Sequence, residues 1–258
     1  FNFAPIYTYP GDGNKDIAAL GGVRDNENKL YYVSYPPFAF ISSYYITKIF
    51  GGPNLYSIRV LGLLIHFIAA LLIYLIVKKL ALDQRDRIVW SGIFASSFYL
   101  FSSGHLWIHG FLYFSDILVQ VFVLGLVLVL IDPIRTKSIS KKQLFTVCLL
   151  VFFGCWTEWL MMFFAFVVGL YFLFQYFKHK EKICLYAFLA IGCTATFALL
   201  LTIVHYSSIG GFDQFIDVWL NKYQERSGVV VDIQGSQNLN FSNPKSYELL
   251  TTHFQDFY

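Results

Sequence analysis

Charge is scarce in this chain. Asp, Glu, Lys and Arg make up 14% of its 258 residues, against about 25% in an average soluble domain. That shortage, with a mean hydropathy of +0.56, excludes a soluble globular enzyme. Disorder is excluded too, because 57% of the sequence is hydrophobic and disordered chains are poor in apolar residues. A net charge of +3 is too small and too scattered for nucleic-acid binding, so no nucleic acid is expected as a partner. An initiating Met and a charged-then-apolar leader are also missing. The chain opens at Phe1 and stops at Tyr258 inside an aromatic run, and reads as a piece of a longer polytopic protein. No internal repeat is visible. Cys148, Cys155, Cys184 and Cys193 lie in apolar runs without a CxxC pair, which makes them packing residues rather than metal ligands.

What is present is aromatic and apolar. The 28 Phe and 18 Tyr sit in long hydrophobic runs, the pattern of an all-α, polytopic transmembrane bundle. Residues 55–77, 88–104, 112–131 and 183–204 read as single spans. The run 144–177 differs, since its 34 residues would cover roughly 51 Å as one helix, too long for one crossing. Charge resolves it. Lys78, Lys79, Arg85 and Arg87 fall in one connection, Arg135, Lys137, Lys141 and Lys142 in the next, and Lys178, Lys180 and Lys182 in a third. The positive-inside rule puts all three in the cytoplasm. They share a side only if 144–177 crosses twice, as a short hairpin with its apex near Trp156–Trp159. Six spans result. Residues 1–54 form an extracytoplasmic loop with a juxtamembrane helix, 55–204 the transmembrane domain, and 205–258 an extracytoplasmic amphipathic helix and loop.

The outer segments carry their own signals. Phe212, Phe215, Ile216, Trp219, Leu220 and Tyr223 fall on one helical face, with Asp213 near its start and Lys222, Arg226 and Gly228 at its end. This predicts a helix lying on the outer membrane surface. Residues 38–50 predict a second, more apolar helix ended by Gly51-Gly52, and the Asn-, Gly-, Ser- and Gln-rich 232–243 reads as loop.

Few polar residues interrupt the apolar runs. Asp116 lies about 6 Å into its span and Glu158 at the hairpin tip, while Arg59 opens its own span. These are explained either by snorkelling and interfacial placement or as the lining of one polar cavity in the outer half of the membrane. His105 and His109 are spaced i, i+4, a separation that can hold a metal on a helix, yet HExxH and an acid in register are missing. An interfacial or substrate hydrogen bond is the preferred role, and no metal site is assigned. His66, mid-span, suits a helix–helix hydrogen bond. Upstream, Pro10-Gly11-Asp12-Gly13-Asn14-Lys15-Asp16 is either a plain Asx turn or a carboxylate held beside the cavity. An acid there can act as general base on a hydroxyl, and Lys15, Arg24 or Arg59 can hold a lipid phosphate.

Taken in order, Tyr35-Pro36-Pro37, the helix 38–50, Gly51-Gly52-Pro53 and Leu55-Tyr56-Ser57-Ile58-Arg59 resemble the glycosyltransferase-C superfamily. The similar branch is that of the protein O-mannosyltransferases and lipid A aminoarabinose transferases. Tyr113-Phe114-Ser115-Asp116 is similar to a family position that often carries Asp, and Thr157-Glu158-Trp159 resembles the tip of the family's short central pair. The resemblance covers most of 1–204, without the family's first span. It implies transfer of a sugar from a polyprenyl-phosphate carrier to a hydroxyl of a lipid, glycan or protein, in the bacterial inner membrane with the active face outward. Asp12 or Asp16 would be the catalytic carboxylate, serving as base or orienting the acceptor. Lys15, Tyr35, Arg59, His105, His109, Asp116 and Glu158 would contact donor or acceptor. No cofactor is implied beyond the lipid-linked donor. Two departures stand out: Asp12 and Asp16 replace an adjacent Asp-Glu, and Tyr35 stands where a His or Lys is common, so Lys15 or Arg59 would take over the phosphate.

Two other functions fit the composition. A transporter or flippase would also bury acids in a cavity, but the paired broken helices or repeated halves of that class are missing. A non-catalytic, glycosyltransferase-like subunit of a larger membrane complex is compatible with Tyr35 and with the missing Asp-Glu pair.

Overall fold

The computed structural model describes residues 22–24, 30–33, 35–52, 54–80, 85–104 and 115–227. Among them a short antiparallel ribbon, β1 (Gly22–Arg24) and β2 (Leu30–Tyr32), pairs Val23 with Tyr31. The rest is helical: α1 (Phe38–Ile49), α2 (Leu55–Leu80), α3 (Arg85–Phe101), α4 (Ser115–Thr136), α5 (Lys141–Cys155), α6 (Leu160–His179), α7 (Lys182–Gly210) and α8 (Phe212–Ser227). Four of these, α2, α4, α6 and α7, are long and apolar enough to cross a membrane, and Val89–Phe101 within α3 is a shorter apolar helix.

Local chemistry sets the boundaries. α1 starts after Pro37, whose fixed φ suits a helix entry. It ends at Gly51 and Gly52, at φ 90° and 102°, a backbone region glycine enters without steric cost. The expected break therefore lies where the sequence placed it. α2 opens on a reciprocal cap, Ser57 N–H donating to Asn54 Oδ1 at 2.9 Å and Asn54 N–H to Ser57 Oγ at 3.0 Å. α5 opens on a capping box between Ser140 and Gln143.

The main core lies between α4, α5, α6 and α7. Val147, Val151 and Cys155 form a fully buried stripe on α5, facing Leu126, Ala165, Phe172 and Ile191. α2 packs along both α4 and α3. His66 of α2 is buried, as a helix–helix hydrogen bond requires: its Nε2 lies 3.1 Å from the Leu100 carbonyl and its ring stacks on Tyr99 at 4.8 Å. Tyr99 donates onward to Gln120 Oε1 at 2.7 Å, tying α3 to α4.

Two ends of the bundle are distinct. At the basic end, Arg135 donates to the Lys79 and Leu80 carbonyls at 2.8 and 2.7 Å, and Lys79 pairs with Asp132 at 2.6 Å. Cys184 Sγ lies 4.0 Å from the Lys137 carbonyl. The C-termini of α2 and α4 and the N-terminus of α7 thus meet, so α5 and α6 must run out and back. Their apex is Trp156–Trp159, the opposite end of the bundle, as the charge distribution predicted.

Beyond the expected span 183–204 the helix α7 continues to Gly210, because nothing in Val204–Ile209 breaks a helix and Gly211, at φ 90°, is the first residue that does. The apolar face of α8 is shared between protein contacts and open surface. Phe215 and Val218 are fully buried against Val23, Tyr206 and Ile209, whereas Phe212 and Leu220 are exposed. α7 and β1 occupy the side of α8 that a free surface helix would give to lipid.

Candidate functional site

The apex end is built on a tight turn. Gly154 accepts from the amides of Thr157 and Glu158, both at 3.0 Å. A Cβ on Gly154 would fall 2.5 Å from Met161 Cγ, so only glycine lets the two arms close this far. Thr157 Oγ1 returns to the Phe153 carbonyl at 2.7 Å. The turn leaves Glu158 at the entry to α6, where the positive end of the helix dipole favours a carboxylate. Its Oε1 accepts from the Trp159 amide at 3.1 Å and its Oε2 from Ser115 Oγ at 2.5 Å. Glu158 is only 6% exposed.

Aromatic side chains pack against the turn that carries this carboxylate. On one side the Phe38 amide donates to the Trp156 carbonyl at 3.0 Å, and the Phe38 ring stacks on Trp156 at 5.5 Å. The Pro36-Pro37 step thereby delivers α1 onto the hairpin tip. On the other side Trp159 meets Trp219 edge-on at 4.7 Å, and Trp219 packs on Phe215, which packs on Tyr206. The Tyr206 hydroxyl donates to the Tyr35 carbonyl. Buried polar atoms are left over in this half of the molecule: Trp156 Nε1, His205 Nε2 and Ser207 Oγ have no hydrogen-bond partner.

The expected site residues separate into three groups. Glu158, Tyr35 and the Ser115–Asp116 step come together at the apex. Tyr35 contributes its carbonyl, and Asp116 is exposed while its neighbour Ser115 is buried. Arg59 is exposed on the first turn of α2. Asp12, Lys15, Asp16, His105 and His109 lie outside the described residues. Among the described residues, no group of three His, Cys, Asp or Glu side chains could hold a metal ion. Sequence reasoning did not single out Ser115, Trp156 or Tyr206. Ser115 was visible as a small hydroxyl at the first position of a span, next to an acid, but its partner lies 43 residues away.

Comparison with protein-family profiles, with curated proteins and with solved structures gives no match. Four helices able to cross a membrane make this a membrane protein in composition and length.

Proposed function

We propose that the chain is part of an integral-membrane transferase that moves a sugar from a polyprenyl-phosphate carrier to a hydroxyl acceptor at the apex end of the bundle. The observation that carries this reading is the buried Glu158, locked to the residue before Asp116 and roofed by the helix that follows Pro36-Pro37. Two carboxylates on adjacent helix ends suit recognition of sugar hydroxyls, which donate hydrogen bonds to ionised acids. Unpartnered buried polar atoms nearby, Trp156 Nε1 among them, suit a polar ligand. Asp12 or Asp16 would take the acceptor's proton and Arg59 or Lys15 would hold the carrier phosphate. In this reading six helices cross the membrane and the apex faces outward, with the basic connections in the cytoplasm.

The test is transfer of a labelled sugar from polyprenyl-phosphate donors by the complete protein in membranes. Asp116→Asn should lower turnover by at least tenfold, and Asp12→Asn or Asp16→Asn should abolish it. Full activity in all three variants would refute the assignment.

One observation favours a second reading. Both oxygens of Glu158 are already engaged within the chain, which suits a non-catalytic subunit whose apex is purely structural. That reading is supported if complete protein shows no transfer with any lipid-linked donor yet co-purifies with a membrane enzyme.

A further inference from the structure

At the basic end two connections meet. The 137–140 segment sits on the first turn of α7: the Lys137 carbonyl lies 4.0 Å from Cys184 Sγ, and buried Ile139 shares a core with Cys184 and Ala187. Around this joint Lys137, Lys141, Lys142, Lys178, Lys180 and Lys182 are all exposed. The nearby cations Lys79 and Arg135 are already used, one by Asp132 and the other by the last carbonyls of α2. Lys180 lies over the Tyr176 and Phe177 rings. For Lys137, Lys141, Lys142, Lys178 and Lys182 no carboxylate partner exists among the described residues, and Glu181 is the exposed acid beside them.

Several of these lysines sit where the fold alone would not put them. Lys141 and Lys142 open α5 in a first turn without an acid, where the helix dipole opposes a cation, and Lys182 opens α7 directly after its N-cap Glu181. Lys137 and Lys180 both adopt left-handed backbone, φ 55° and 59°, where glycine is the usual residue. An anion lodged among Lys141, Lys142 and Lys182 would offset the helix-dipole penalty. Apolar surface continues directly from the charge. Phe145, one turn after Lys141, is 65% exposed, and Phe174, one turn before Lys178, is 62% exposed. Three of the four helices joined here are long enough to cross a membrane, so their ends reach headgroup level.

We infer that this end is a binding surface for anionic phospholipid, the phosphate lying among Lys137, Lys141, Lys142 and Lys182 and the acyl chains along Phe145 and Phe174. The adjoining apolar flank selects a lipid over free phosphate. The inference does not rest on the transfer reading, because it concerns the opposite end of the bundle.

The test uses the full chain in a mild neutral detergent, titrated with phosphatidylglycerol, phosphatidylcholine or inorganic phosphate, with native mass spectrometry and thermal melting as readouts. Phosphatidylglycerol should be retained and raise the melting temperature, and the other two should do neither. A lysine near an anionic surface is worth about fivefold in binding. The quadruple variant K137Q/K141Q/K142Q/K182Q should therefore bind phosphatidylglycerol roughly 600-fold more weakly. Lys137→Gly keeps the fold safe, since glycine suits the left-handed position, and should weaken binding about fivefold while leaving the lipid-free melting temperature equal or higher. Lys48→Gln, at the apex end, should change nothing. Equal retention of phosphatidylcholine, displacement of phosphatidylglycerol by millimolar phosphate, or unchanged binding by Lys137→Gly would each overturn the inference.

Discussion

Removing the Ser115 hydroxyl should loosen the hairpin apex. Ser115 and Glu158 are 5% and 6% exposed, and their bond at 2.5 Å satisfies one carboxylate oxygen. A hydrogen bond to a charged group contributes about 1.5–3 kcal/mol, and leaving the buried oxygen unpaired adds to the loss. Taking about 2 kcal/mol, Ser115→Ala should raise the population of the opened apex roughly 30-fold. Cys155, three residues before Glu158, is fully buried and carries a free thiol, so it reports that opening. In a background where Cys148, Cys184 and Cys193 are replaced, its alkylation rate should rise about 30-fold in Ser115→Ala, provided the apex recloses faster than the thiol reacts. Glu158→Ala should do at least as much, because it also frees the Trp159 amide. The double variant should react roughly 5- to 30-fold more slowly than the product of the two effects, a coupling of about 1–2 kcal/mol. A Ser115→Ala rate within about twofold of the parent, or two effects that simply multiply, would show that the bond holds nothing.

Gly154→Ala should lower the melting temperature in detergent, with a cost of about 1–3 kcal/mol for overpacking against buried Met161. Pairing it with Met161→Ala should recover part of the loss if the clash is the cause. His66→Phe should keep the stacking on Tyr99 but strand the Leu100 carbonyl, costing about 1–3 kcal/mol in the same melt. Arg135→Gln should cost less than about 1 kcal/mol although it removes two bonds, because the side chain is exposed and water replaces the protein.

Periodicity and charge made the bundle legible. The three clusters of Lys and Arg allowed only an out-and-back path for 144–177, and the contacts among Lys79, Arg135, Lys137 and Cys184 show that path. His66 was legible for a related reason, since a polar ring in an apolar run has to find a partner. What covers the apolar stripe of α8 was not legible, because amphipathicity states that a face is apolar and does not say whether lipid or protein covers it. Phe215 and Phe212 look alike in the sequence, and only the position of α7 distinguishes the buried one from the exposed one. The site was legible at its ionisable members and opaque at their partners. Glu158 announces itself by charge, whereas Ser115 and Tyr206 become polar anchors through tertiary contacts separated by 43 and 171 residues.

On the proposed six-span reading, the short first arm of the hairpin accounts for what is stacked on its tip. α5 has 15 residues, about 22 Å of helix, against roughly 30 Å of hydrocarbon in a bilayer. A turn that stops short of the surface exposes backbone groups and a carboxylate to a medium that cannot hydrogen-bond them. Each is met by protein instead. Gly154 takes the Thr157 and Glu158 amides, Phe38 supplies the Trp156 carbonyl, and Ser115 and the Trp159 amide share the Glu158 carboxylate. α1 and α8 then cover the turn with aromatic rings. The same geometry accounts for the placement of Asp116 one residue beyond Ser115. A helix end that must reach the sunken carboxylate with its first side chain presents the next one, about 100° around the helix, away from it. That next side chain is exposed, so the apex pairs one carboxylate bound within the fold with a second at the surface, and under the proposed transfer reading Asp116→Asn should impair function without lowering the melting temperature, the reverse of what Ser115→Ala does to stability.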